Sequence, residues 1–270
     1  RTEVADNSGN IYSKTINKWD RFSLGAGRDF VKLVSSITET YDGNGTHKDT
    51  AEEYTYENTY GNLTQKTSWG EVTGADDGSF TDVGADKFTE NILYVANTGN
   101  YIVGLPYQDT VLDQNLNKVR ESKIYYDNLA LGSVGVGNQT KTEGWKTGTT
   151  YVNTQKTYNT TYGIVTSSVD GRGNTTSYNY DTYNLYPITI TDALLHNTNY
   201  IYDYSSGQVT QITDQNNRIF QHTFDGLDRL LKEKESVDNE ITPPPISPIP
   251  PTVKALVIVG GGGGGSPGSW

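Results

Sequence analysis

Apolar and polar side chains alternate along this chain with a period of two, most clearly between residues 158 and 230, and no helical period is present. Rings occupy alternate positions in three successive segments, at Tyr178 and Tyr180, Tyr200 and Tyr202, and His222 and Phe224. Alternation of this kind places each pair on one face of a strand. Between these segments lie Ile188-Thr-Ile-Thr191 and Val209-Thr-Gln-Ile-Thr213, whose β-branched side chains suit a partly wet pleated surface.

The alternation sits inside a longer repeat. Tyr158-Asn159, Tyr180-Asp181, Tyr202-Asp203 and Phe224-Asp225 follow one another every 22 residues, and Asp170, Asp192 and Asp214 interleave with them 11 residues away. Each period therefore predicts two strands and two acidic turns, one antiparallel hairpin per repeat. Asp181, Asp203 and Asp225 read as turn formers, because an aspartate side chain accepts a hydrogen bond from a backbone N–H two residues on. Tyr178, Tyr180, Tyr200, Tyr202 and Phe224 read as packing rings. One hairpin of this length is marginal alone, so neighbouring hairpins must cover one another.

Looser copies precede the regular ones. Tyr54-Thr-Tyr56-Glu57 and Tyr125-Tyr126-Asp127 repeat the ring-and-turn motif, and Gly-Asn followed by a Thr/Lys stretch and a Trp recurs at Gly9-Asn10 to Trp19, Gly61-Asn62 to Trp69 and Gly137-Asn138 to Trp145. Four regions are expected: degenerate repeats over 1–157, regular repeats over 158–240, a proline-rich spacer over 241–252, and the start of a glycine-rich module over 253–270. The spacer's prolines favour an extended polyproline II strap. The chain starts at Arg1 and contains no Met, which suggests a segment of a larger polypeptide.

Composition narrows the function. Twenty Tyr against six Phe, with 33% hydrophobic residues, favour half-buried sheet surfaces over a thick aliphatic core. The net charge of −11, with no clustered Lys/Arg stripe, argues against nucleic acid and anionic lipid as partners. Zero cysteines exclude disulfides and zinc–thiolate sites. The longest apolar run, Ala255 to Val259, is too short to span a bilayer.

Residues 158 to 230 resemble the YD-repeat (Rhs) family in Asp170-Gly-Arg-Gly-Asn174, Thr191-Asp192, Thr213-Asp214 and Phe224-Asp-Gly-Leu-Asp-Arg-Leu230. Tyr101-Ile-Val-Gly-Leu-Pro106 through Tyr126-Asp127 to Trp145 is similar to the region before the repeats in bacterial proteins related to the Tc toxins. The resemblance implies an all-β fold of antiparallel hairpins joined into one continuous curved or spiralling sheet, and a non-enzymatic wall segment of a secreted or cell-surface shell. Implied partners are the rest of the parent polypeptide and an enclosed toxin domain. Family members that process themselves use a terminal Asp-Pro, which this chain lacks, so self-cleavage is not expected. The alternative reading is a surface adhesin whose exposed Tyr and Trp stack on cell-surface glycans.

The expected catalytic, cofactor and metal residues are none. Asp42-Gly-Asn-Gly-Thr46-His47 with Glu53 departs from a calcium loop where Gly is required, and reads as a hairpin turn. Asp76, Asp77, Asp82 and Asp86 read as a solvated acidic loop. His47, His196 and His222 are scattered without metal spacing.

Overall fold

The computed structural model describes residues 1–43 and 45–236. The spacer and glycine-rich module expected over 241–270 lie outside the described residues. The chain divides into two compact units, Arg1–Asn197 and a second beginning at Thr198.

In the first unit the strands are β1 (Thr2–Ala5), β2 (Ile11–Gly25), β3 (Arg28–Tyr41), β4 (His47–Tyr56), β5 (Leu63–Gly74), β6 (Phe80–Asp82), β7 (Phe88–Tyr94), β8 (Pro106–Asp113), β9 (Lys118–Tyr126), β10 (Gln139–Thr147), β11 (Thr150–Tyr158), β12 (Val165–Val169), β13 (Thr175–Tyr180) and β14 (Pro187–Thr191). Pairing is antiparallel throughout, each strand lying beside its chain neighbours except at β5. There, Gln65–Ser68 pairs with β7 while Val72–Gly74 pairs with β6. The second unit holds β15 (Asn197–Tyr202) from its second residue on, β16 (Val209–Thr213), β17 (Ile219–Phe224) and β18 (Leu230–Ser236), again antiparallel in chain order. The all-β hairpin architecture expected from the sequence is the one observed. Each Gly-Asn of the degenerate copies directly precedes a strand, at Ile11, Leu63 and Gln139.

The ring strands β13, β15 and β17 alternate exposed and half-buried positions, with Tyr178, Tyr180, Tyr200, Tyr202, His222 and Phe224 half-buried. The threonine strands β12, β14 and β16 are half-buried at every position.

Among the described residues, the buried hydrophobic side chains gather in two small cores of the first unit. In one, Ile16, Ile37 and Ala51 stand opposite one another across β2, β3 and β4. Val72, Trp69 and Phe80 close over them, because the β5–β6 hairpin folds back onto this face. Gly74 permits the approach: a Cβ there would sit 2.9 Å from Ile37 Cγ2, closer than side-chain carbons tolerate. The other core gathers Val95, Tyr126 and Val134, flanked by Ile102, Leu105, Tyr107 and Ile124.

Candidate functional site

The feature that repeats along the fold is a relay from ring to strand start. Immediately before Tyr56, Tyr94, Tyr158 and Tyr180 the strand register slips by a residue. Such a bulge bends the strand and re-aims the side chain that follows it. Each of these rings then faces the first residue of the next strand: Tyr56 opposite Leu63, Tyr94 opposite Pro106, Tyr158 opposite Val165. Tyr126 faces Gln139 in the same way.

The next ring along the chain donates its hydroxyl to the carbonyl of that first residue. Tyr94 Oη bonds Leu63 O at 2.9 Å, Tyr126 Oη bonds Pro106 O at 2.7 Å, Tyr158 Oη bonds Gln139 O at 2.9 Å and Tyr180 Oη bonds Val165 O at 3.0 Å. Burial pushes all four phenols above their ordinary value, so they remain protonated donors. In the second unit the final ring is Phe224, which has no hydroxyl. His222 replaces it: Nδ1 lies 3.1 Å from Val209 O, the first residue of β16, while Nε2 lies 3.2 Å from Glu233 Oε2. His222 is thus a stripe residue with a polar tip, and both of its ring nitrogens have protein partners.

The aspartates form the turns. Oδ1 of Asp170 accepts the N–H groups of Arg172 at 2.8 Å and Asn174 at 2.9 Å, and Asp192, Asp214 and Asp225 repeat the arrangement two and four residues on. Asp181 accepts from Tyr183 and Leu185, and Asp203 from Ser205. His196 Nδ1 sits 3.1 Å from its own turn aspartate, Asp192.

Asp127 holds a longer loop. Its Oδ2 accepts the N–H groups of Gly135, Val136 and Gly137 at 2.7, 2.9 and 2.9 Å, and its Oδ1 that of Asn138 at 2.9 Å. Burial works to raise this carboxyl, but the four N–H donors outweigh it and hold the group below the usual carboxylate range. Its stabilising contribution is therefore present at neutral pH and lost as the medium is acidified through the lowered value. Asp127→Ala should cost about 2–3 kcal/mol, the range for removing the acceptor of charge-assisted bonds. Chemical denaturation at pH 7 and near pH 3 checks this, since the difference between variant and parent should shrink in acid.

Sequence reasoning did not anticipate a buried polar row. Lys14, Glu39 and Asp49 stand opposite one another across β2, β3 and β4, alongside the Ile16–Ile37–Ala51 row. Their side chains are 5–7% exposed. Lys14 Nζ lies 2.7 Å from Glu39 Oε1 and 2.5 Å from Asp76 Oδ1. Tyr41 Oη donates to Glu39 Oε2 at 2.7 Å, His47 Nδ1 contacts Asp49 Oδ1, and Asp49 Oδ2 accepts the Gly74 N–H at 2.9 Å. Asp76 and Gly74 belong to the folded-back β5–β6 hairpin, so the row latches that hairpin onto the sheet. The period-two pattern at Lys14 and Ile16, and at Glu39 and Ile37, was the available signal.

The calcium candidates do not converge. Asp42 accepts from Thr46 Oγ1 at 2.6 Å, whereas Glu53 accepts from Trp69 Nε1 at 2.8 Å. Asp76 pairs with Lys14, Asp77 caps Ser79, Asp82 accepts from the Gly84 N–H and Asp86 from that of Glu71. Among the described residues no group of three or more His, Asp or Glu is arranged to hold a metal ion.

No family model matches the chain, and no curated protein matches it. Solved structures do. A crystal structure of TcdB2-TccC3-TEV superposes with a TM-score of 0.65 at 13% identity, over 85% of this chain and 16% of that one. The Photorhabdus luminescens Tc holotoxin pore gives a TM-score of 0.65 at 13% identity, over 90% and 16%. The chain therefore spans about 16% of the length of these structures, and at such identity the likeness is one of fold. This chain therefore shares the fold of part of those Tc toxin complexes, consistent with the Rhs-like repeat region that its Tyr-Asp motifs resemble.

Proposed function

We propose that this chain is a non-enzymatic wall segment of an Rhs-type shell within a larger extracellular or cell-surface polypeptide, enclosing or displaying neighbouring domains of its parent, a toxin domain among them. The observation that carries the reading is the ring-to-strand-start relay. From β5 to β13 it fastens one strand pair to the next at four successive steps, which lets the sheet extend with very little hydrophobic core. The fold of the TcdB2-TccC3 complexes supports the same conclusion. So does the use of polar groups: the relay hydroxyls and turn aspartates are committed to backbone partners, which leaves them poorly placed for acid–base work. The regions 1–157, 158–240, 241–252 and 253–270 then correspond to irregular wall, regular wall, spacer and following module.

Half-buried stripe rings offer little face to a sugar, which favours the wall over an adhesin built on that stripe. Electron microscopy and proteinase K digestion test the proposal on the chain produced with its native flanking sequence. Hollow particles that protect a flanking domain are the expected result. Solid or extended particles, with that domain cut as fast as when it is free, would overturn it.

A further inference from the structure

We propose that a cleft in the first unit, walled by Tyr60 and Tyr101, binds a saccharide that carries a carboxylate. The proposal goes beyond the wall reading and does not depend on it. Three segments meet at this cleft of about 360 Å³: the start of β3 with Arg28 and Phe30, the β4–β5 turn with Asn58, Thr59, Tyr60 and Gly61, and Tyr101 from the loop after β7. That volume is within the range of small-molecule sites.

The two tyrosines differ from the relay rings. Tyr101 is 77% exposed and Tyr60 is 40% exposed, and they meet edge to face with centroids 6.4 Å apart and an interplanar angle of 84°. Two perpendicular walls of this kind present one ring face and one ring edge to an occupant. Tyr101 is also held in a left-handed conformation, φ 53°, which is unfavourable for a ring-bearing residue. Such strain persists only where the surroundings impose it, and it marks ligand clamps among other sites.

Here the surroundings do impose it. Asn97 and Ile102 exchange backbone hydrogen bonds at 3.0 and 2.9 Å around the turn, and the side chains of Asn97 and Asn100 donate to Val134 O and Gly135 O. The facing turn is equally fixed: Glu57 accepts from the N–H groups of Thr59, Tyr60 and Asn62. Gly61, at φ 81°, lies against the Phe30 ring, where a Cβ would approach to 3.2 Å. A site with its walls fixed before binding loses little freedom on binding.

The lining chooses the ligand. Aromatic faces beside an amide, a hydroxyl and a guanidinium match the apolar C–H faces and rim hydroxyls of a pyranose better than they match an apolar peptide. Arg28 is the one charged group in the lining. Its neighbour Asp29 is engaged by Arg21 at 2.9 Å, and Arg28 makes no ion pair among the described residues. A guanidinium repels a cationic ligand and accepts a carboxylate in two parallel hydrogen bonds.

Calorimetric titration of the full chain with trigalacturonate and sialyllactose, against the neutral maltotriose and lactose, tests the assignment. At least one acidic probe should bind about tenfold or more tightly than its neutral counterpart. Tyr101→Ala should weaken that binding by about tenfold or more, and Arg28→Gln should reduce it to the neutral level. Both residues are exposed, so melting temperature should stay unchanged, which separates loss of binding from loss of fold. Absence of binding by all four probes, equal binding of the neutral sugars, or binding that survives both substitutions would each overturn the proposal.

Discussion

Tyr126→Ala should lower the unfolding free energy by about 3–5 kcal/mol, the range for truncating a buried aromatic side chain. Tyr126 is 5% exposed and central to the core that also holds Val95 and Val134. The residue also carries one step of the relay through its hydroxyl, which donates to Pro106 O at 2.7 Å. Tyr126→Phe separates the two contributions: it keeps the ring and removes the bond, and should cost about 1 kcal/mol. Urea denaturation of the two variants gives the ranking. If the Phe variant lost as much as the Ala variant, the hydroxyl rather than the ring would hold this core together.

Lys14→Ala should cost about 3 kcal/mol, because it leaves Glu39 buried with its positive partner gone. The loss should be local as well as global. With Asp76 released, the β5–β6 hairpin is held by one latch fewer, so exchange at the Gly74 amide should quicken in hydrogen–deuterium measurements. The double variant Lys14→Met with Glu39→Leu should recover most of the loss, since replacing a buried ion pair by apolar groups is often neutral or stabilising. Unchanged exchange in Lys14→Ala would contradict the latch.

The pH dependence of this pair has a definite sign. Hydrogen bonds to Asp76 and then Glu39 raise the Lys14 ammonium above its ordinary value, against the opposing effect of burial. A raised lysine contributes stability that is fully present below the unfolded value and disappears as pH climbs through the folded one. The lysine's contribution is therefore present at neutral pH and lost in strong alkali, whereas that of Asp76, whose carboxyl the hydrogen bond to Lys14 holds below its ordinary value, is lost in acid. Asp127, with its lowered carboxyl, also fails in acid. The first unit is accordingly most stable between these limits.

Several residues show why some of this was legible without coordinates. The turn at Asp170 depends on contacts two and four residues away, and the faces of Tyr178 and Tyr180 depend on a period of two. Both are local, so they appear as spacing. Lys14, Glu39 and Asp49 show only the period of two that they share with Ile16, Ile37 and Ala51, and that they meet is decided when three strands pair in one register. The cleft of Tyr60 and Tyr101 is hidden for the same reason: its walls are 41 residues apart and meet through separate turns.

By itself, the sequence determined the elements: strands rather than helices, one hairpin per period, rings on one face and aspartates at the bends, since each follows from side chains within a few residues of one another. Only the tertiary structure decided how the elements are joined. The bulge ahead of Tyr94, Tyr158 and Tyr180 aims each hydroxyl at a carbonyl in another strand, and its regularity extends into 1–157, where the letter pattern breaks down. A hydrogen bond to a backbone carbonyl asks nothing of the residue that carries it, so Leu63, Pro106, Gln139 and Val165 serve equally well, and no composition rule could have marked them.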